Sequence, residues 1–364
     1  KVFCALNFSK RRPTAVLRAL TFHMFKNNES LPVKQSVNLI FAMNTLNYSD
    51  QALLEKLASD LYPQIKYVTQ SNIVGSLLLC MGKLRWRNKL LIDAIGDWIL
   101  NNFEKCKVND ITNLIITMAT VSYVPLSVND SFEKILSIIN QETIPEVATW
   151  IDIVWSLIIL GKAENNHISS VLSLDVKKVI EVDDPTNVGI HLKILNINGY
   201  AKVLSDSYSG PKVLGSAPDD MLITFSRKDR SLQSYVQKVL HNFLPPPKYI
   251  RENIKTTMGF IVDAEIVVDS LNRPIPVVQH PSNFDVDNPS SLPNGAKRVA
   301  LIVWNYKDYT IGSQVLAGFN PVVVQILNKL GYQVVQIPYF DVNEKEKIVK
   351  SVLYFQRRIK EIND

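Results

Sequence analysis

The sequence has few of the residues from which catalytic and metal centres are built. Its three cysteines, Cys4, Cys80 and Cys106, have neither the pairing of a disulfide framework nor the spacing of a zinc site. That fits a reducing compartment and thiols that fill core positions. The five histidines are too scattered to nominate a triad. The 13 glycines form no phosphate-binding loop and no G-x-G-x-x-G fingerprint. A protein kinase needs a Gly-rich loop, a lysine on the following strand, a catalytic-loop Asp and an Asp-Phe-Gly, and the chain has no such set. Apolar runs such as 114–121 and 153–160 are well short of the roughly 20 residues that cross a bilayer, so no transmembrane helix is expected. Neither sign of charge dominates: 40 Lys and Arg against 34 Asp and Glu give +6, which permits an anionic partner without requiring one. No cofactor and no metal is expected. The first residue is Lys1, so the chain is expected to be a fragment whose targeting segment lies outside it.

What the chain does have is apolar periodicity. With 364 residues, 46% of them apolar, it can form two or three domains with ample core. Four segments align without gaps at spacings of 38, 37 and 39 residues, beginning at Asn38, Ser76, Asn113 and Asp152. Small residues recur at Ala42, Cys80, Thr117 and Ser156, then Met43, Met81, Met118 and Leu157, with an aromatic (Tyr48, Trp86, Tyr123) closing the first three. Between them lie second amphipathic helices over 51–61, 90–103 and 130–139. Such a pair buries its apolar faces only by stacking on its neighbours, which predicts an α-solenoid. The pattern resembles octotricopeptide-type repeats, helical hairpins that bind RNA.

Asn38, Ser76, Asn113 and Asp152 put a short polar side chain at one place in four otherwise apolar helices, where it needs a partner. Two readings follow: a ladder that hydrogen-bonds bases in a groove, or one that bonds neighbouring carbonyls between stacked helices. Lys83, Arg85, Arg87 and Lys89 form the clearest basic cluster, with Trp86 inside it, suited to phosphates and an unpaired base or else to a solvated rim and core packing. Arg11, Arg12 and Arg18 make a second candidate patch.

Beyond residue 162 the pattern loosens. Helices are expected over 167–174, 184–203 with Asp184-Pro185 at its start, and 230–244, with a long loop over 205–226 and a stop at Pro245-Pro-Pro247. Strands follow over 258–269 and 275–279, then strand 299–304, helix 321–330 stopped by Gly331, and strand 332–337, a compact βαβ unit. An amphipathic helix over 344–362 should cover the sheet.

The order Lys297-Arg-Val-Ala, Leu316-Ala-Gly318, Leu330-Gly-Tyr-Gln-Val-Val-Gln-Ile-Pro-Tyr339 and Asp341 resembles the RAP domain that closes the FAST kinase-domain-containing proteins. The segments Asp263-Ala-Glu-Ile-Val-Val-Asp269 and Arg12-Pro-Thr-Ala-Val-Leu-Arg-Ala-Leu-Thr-Phe-His23 are also similar to that family. The resemblance implies a mainly α protein: an α-solenoid of octotricopeptide-like repeats (1–163, FAST-type region 1), a helical linker (164–247, FAST-type region 2), and a small α/β RAP domain (248–364) with a restriction-endonuclease-like core. It further implies a mitochondrial matrix protein that binds mitochondrial RNA and stabilises transcripts or assists their processing. The partners it implies are that RNA, and another FAST-family protein or an RNA-processing enzyme. No DNA and no membrane insertion are expected.

A nuclease of that core type needs carboxylates converging on a metal. Asp263, Glu265 and Asp269 could supply the first, but 301–304 is Leu-Ile-Val-Trp where acids are required, with only Asp308 beyond the strand. Asp263 and Asp269 therefore read as vestigial or structural, and the chain as no enzyme. Val324 and Gln325 stand where relatives have a basic pair, which opens a protein–protein role for this domain. The rivals are a protein-interaction scaffold and a divergent metal-dependent RNA nuclease.

Overall fold

The structure, a computed structural model, describes residues 2–27, 29–175, 187–213, 231–284 and 290–361. The chain is mainly helical, with one small mixed sheet towards its C-terminus. It divides into two compact units: Lys1–Leu160 with Tyr309–Gly318, and Gly161–Asp308 with Phe319–Asp364.

The first unit holds α1 (Val2–Phe8), α2 (Thr14–Asn27), α3 (Val33–Thr45), α4 (Gln51–Ile65), α5 (Ser71–Leu84), α6 (Lys89–Asn101), α7 (Val108–Thr120), the short α8 (Leu126–Asp130) and α9 (Phe132–Leu136), and α10 (Val147–Ile159). The sequence pattern places one helix over 130–139; the chain instead breaks at Ser131. The four aligned segments fall in α3, α5, α7 and α10, and α1, α3, α5, α7 and α10 pack consecutively. α2, α4, α6 and α8 form a second layer in the same way.

The recurring residues have a local explanation. α3, α5 and α7 each end on a non-glycine residue in the left-handed region, Asn47, Arg85 and Ser122, with φ of 47°, 54° and 51°. The next residue, Tyr48, Trp86 or Tyr123, donates its backbone N–H to the carbonyl of Met43, Met81 or Met118 at 2.9, 2.8 and 3.0 Å. A left-handed turn of this kind satisfies otherwise orphaned helix carbonyls and seats an apolar residue against the last turn. The methionine and the aromatic are two ends of one helix stop. α4 and α6 start on side-chain caps, Asp50 accepting from the Leu53 N–H at 2.9 Å and Asn88 from that of Leu91 at 3.0 Å.

α5 and α7 approach closely because glycine faces the contact. A Cβ on Gly75 would lie 2.1 Å from Asp110 Oδ1, and one on Gly82 would lie 2.9 Å from Thr117 Oγ1. Thr117 in turn donates to the Leu78 carbonyl at 2.8 Å, so the buried hydroxyl is paired across the two helices. Cys80 is buried here, whereas Cys4 is exposed on α1 rather than in a core.

The second unit begins with α11 (Asn165–Leu172), α12 (Asn187–Val203) and α13 (Ser231–Leu240). The expected helix start at Asp184-Pro185 and the later part of the expected 205–226 loop lie outside the described residues. The sheet has the order β1 (Arg251–Lys255), β2 (Ile261–Val268), β4 (Lys297–Trp304), β5 (Tyr332–Pro338), with β3 (Pro274–Ile275) beside β2. β4 and β5 pair in parallel through α14 (Asn320–Lys329), the strand-helix-strand unit that the sequence predicts; the other pairings are antiparallel. β1 was not expected, since Arg251-Glu-Asn-Ile-Lys is polar and occupies the sheet edge. The 275–279 strand is reduced to two residues and a 3-10 turn. One face of the sheet, through Ala264, Ile266, Leu301, Val303 and Ile337, packs on α13 and on α15 (Ile348–Lys360).

Gly75→Val is expected to destabilise the first unit by about 1–3 kcal/mol through overpacking against Asp110. Gly189→Ala in α12, where an added Cβ meets nothing within 4 Å, should be neutral or stabilising. Thermal unfolding followed by far-ultraviolet circular dichroism checks both.

Candidate nucleic-acid interface

The polar column lies along the α3, α5, α7, α10 layer. Asn38 and Ser76 are exposed, and Asn113 and Asp152 are half-buried. Asn113 donates to the Gly75 carbonyl of α5 at 3.2 Å, a bond between stacked helices, while Asn38 and Ser76 face outward. The reading in which the column bonds neighbouring carbonyls therefore holds at Asn113.

The basic cluster is split by the turn that ends α5. Lys83 and Lys89 are exposed; Arg85, in the left-handed position, and Arg87 are half-buried. Trp86 is 0% exposed and serves the core. A ten-residue hairpin, Tyr309–Gly318, docks at this place within the first unit. The Ile311 N–H donates to the Arg85 carbonyl at 2.7 Å and the Arg87 N–H to the Ile311 carbonyl at 2.8 Å, so Ile311 pairs with Trp86 like a short parallel strand. Further along, Gly318 N–H donates to the Thr120 carbonyl at 3.0 Å and Ser122 Oγ to the Leu316 carbonyl at 2.8 Å. The same helix stops that seat Trp86 and Tyr123 thus present the groups that hold the hairpin.

Arg87 is committed to this contact. Its guanidinium donates to Ser313 Oγ at 3.3 Å and lies 5.5 Å from the centre of the Tyr123 ring, and burial lowers its pKa. Tyr123 donates to Asp93 Oδ1 at 2.8 Å; burial, then that carboxylate, push its phenol up to about 12. Lys83 and Lys89 remain the outward charges of the cluster. Arg11, Arg12 and Arg18 are exposed near the start of the chain, Arg12 donating to the Asn47 carbonyl at 2.8 Å.

In the sheet, each carboxylate of 263–269 has a structural partner. Asp263 is buried and accepts the Val303 N–H at 2.8 Å. Asp269 accepts the N–H groups of Leu271 and Arg273 at 2.9 Å and Arg273 Nε at 2.8 Å, closing the β2–β3 turn, and these bonds hold its carboxyl below the usual range. Glu265, fully buried, takes four donors: Tyr332 Oη at 2.9 Å, Arg298 at 3.4 Å, Arg251 at 2.7 Å and the Ser282 hydroxyl. Tyr332 stacks on Phe284 at 4.7 Å, and burial with the Glu265 charge raises its pKa. Arg298 belongs to the basic pair quoted above for its resemblance; its task here is to neutralise Glu265. Charges at 265 and 298 in otherwise apolar strands were the available signal. Among the described residues no group of three or more His, Cys, Asp or Glu is placed to hold a metal, and no helix is long and apolar enough to cross a membrane.

Comparison with known proteins places this architecture. Residues 111–181 match the family described as FAST kinase-like protein, subdomain 1, and 191–276 match FAST kinase-like protein, subdomain 2. FAST kinase domain-containing protein 4 of Mus musculus is 24% identical over 351 residues, covering 94% of this chain and 55% of the relative. The chain is similar to the FAST kinase domain-containing proteins over nearly its whole length. The human protein 4 is 23% identical over 94% of this chain and 54% of its own length. The human FAST kinase domain-containing protein 3, mitochondrial, is 29% identical over 157 residues, 42% of this chain and 22% of the relative. The chain thus spans about half the length of the protein 4 relatives it matches.

Two outcomes test these placements. Glu265→Gln leaves Arg298 buried beside a neutral partner and is expected to cost roughly 3–5 kcal/mol, read by chemical denaturation. Gly312 has φ +92°, and a Cβ there would sit 2.9 Å from the Arg87 carbonyl oxygen. Gly312→Val should release the hairpin and speed hydrogen exchange at the amides of Arg87 and Ile311 while leaving β4 and β5 protected.

Proposed function

We propose that this chain is a non-catalytic mitochondrial RNA-binding factor that stabilises transcripts or assists their processing. Single-stranded RNA lies along the α3, α5, α7 layer, whose hairpins behave as octotricopeptide-like repeats. The observation that carries this reading is the stacking of α3, α5 and α7, which lines up the outward Asn38 and Ser76 on the layer that carries Lys83, with Lys89 just beyond it at the start of α6. Phosphates meet the lysines, and the polar side chains are placed for base edges. Similarity to the FAST family, and relatives whose names carry the word mitochondrial, support a place in the mitochondrial matrix.

The C-terminal sheet is, on this reading, a RAP domain with a restriction-endonuclease-like arrangement whose carboxylates serve structure. Saturated by four donors, Glu265 has no lone pair directed to solvent chemistry, and Asp263 caps a strand. The domain's role is to orient the RNA or to recruit an RNA-processing enzyme or a second FAST-family protein.

Binding to unstructured RNA should weaken with salt at roughly −0.7 log units per log unit for each phosphate contact, and Lys83→Ala with Lys89→Ala should lower that slope. The RNA should stay intact with Mg²⁺ or Mn²⁺. Absence of binding would leave the scaffold reading in its place, and cleavage abolished by Asp263→Asn would make the protein a nuclease.

A further inference from the structure

The outward face of the α3, α5, α7 layer carries a second column that the polar one does not explain. Three residues beyond Asn38, Ser76 and Asn113, on the same face and one turn along, stand Phe41, Leu79 and Ile116. Phe41 is 48% exposed and Leu79 37%, and Ile116 is half-buried. A single exposed apolar residue is ordinary, but an apolar side chain at one position of successive packed helices makes a continuous track.

Charge decides what this track is fitted to meet. α3 and α5 contain no acidic residue, and the one acid of α7, Asp110, is buried against Gly75. The exposed charges on these helices are Lys34 and Lys83. In the other layer α4 and α6 carry Glu55, Asp60, Asp93 and Asp97, none of them buried, alongside Lys56 and Lys89. A polyanion on the outward face of α3, α5 and α7 therefore meets lysines and no exposed carboxylate. Nucleobases offer an apolar face and a hydrogen-bonding edge, and the two columns present a counterpart to each.

We infer that Phe41, Leu79 and Ile116 form the base-contacting track of this protein, against which the faces of unpaired nucleotides of a single-stranded RNA pack, one per helix, while edges meet the outward Asn38 and Ser76. The inference rests on the RNA-binding reading above and adds to it the residues that take the bases. Contacts to base faces tolerate sequence and are insensitive to salt; contacts to phosphates are the opposite. The columns therefore separate in a single experiment.

The test measures the affinity of the full chain for a 12-nucleotide uridine oligomer by fluorescence anisotropy across a salt series. It compares wild type, Phe41→Ala, Leu79→Ala, Phe41→Trp and the Lys34→Ala, Lys83→Ala pair, with melting temperatures as the control for folding. Phe41→Ala is expected to weaken binding about tenfold and Leu79→Ala about threefold with unchanged salt slopes, Phe41→Trp to keep wild-type affinity, and the lysine pair to lower the slope. Wild-type binding that neither alanine variant changes would overturn the track while leaving RNA binding in place. Loss of a bound protein partner by the alanine variants, with RNA affinity intact, would overturn it in favour of a protein on the same face. Wild type that binds no RNA removes the underlying reading and the track with it.

Discussion

Three alternate helices of this protein, α3, α5 and α7, stop in the same way, and much of the first unit follows from that stop. A left-handed residue turns the chain, the next residue's N–H closes on a methionine carbonyl, and its aromatic ring enters the packed layer. Because the stop recurs at a spacing of about 38 residues, successive helices end at matching points and pack consecutively. The turn also leaves the carbonyl of Arg85 and the N–H of Arg87 pointing away from the helix, where Ile311 pairs with both. One local motif thus ends the helix, supplies core, and builds the docking edge for a segment more than two hundred residues away. Such multiple use makes each of these positions costly to change.

The sheet depends on a different constraint, the burial of a charge. Glu265 sits fully buried in the middle of the sheet, and a carboxylate there is tolerated only when its donors are all supplied. Arg251 from β1, Arg298 from β4, Tyr332 from β5 and Ser282 from the loop meet that need. Strands that share one carboxylate are fixed in register, because a shift by one residue would turn Glu265 to the aliphatic face. An edge strand as polar as β1 gains its place through Arg251. The carboxylates that invite comparison with a nuclease are therefore parts of the sheet's own framework.

Exposed carboxylates are distributed unevenly between the two layers of the helical unit. Carboxylates gather on α4 and α6 and are absent from the outward face of α3, α5 and α7, so a weakly basic chain acquires one surface suited to an anion. A net charge of +6 conceals this segregation, since the sum does not record which helix face each residue occupies. The FAST-family relationship and the charge pattern support the same functional reading from independent directions.

The sequence by itself determined what depends on near neighbours along the chain. The spacing of the four segments, the apolar faces, the Met-to-aromatic stop and the βαβ unit are written in runs of a dozen residues, whose backbone hydrogen bonds and side-chain periodicity are local. Tertiary structure decided what depends on residues far apart. It gave Tyr309–Gly318 to the helical unit, converted Arg87 from a candidate phosphate ligand into a hairpin anchor, added β1 through its pairing with β2, and assigned Asp263, Glu265 and Asp269 to backbone and arginine partners. A charged side chain has no fixed meaning in one dimension. Its role is set by the donors and acceptors that the fold brings within about 3 Å, and these come from segments whose proximity no local pattern encodes.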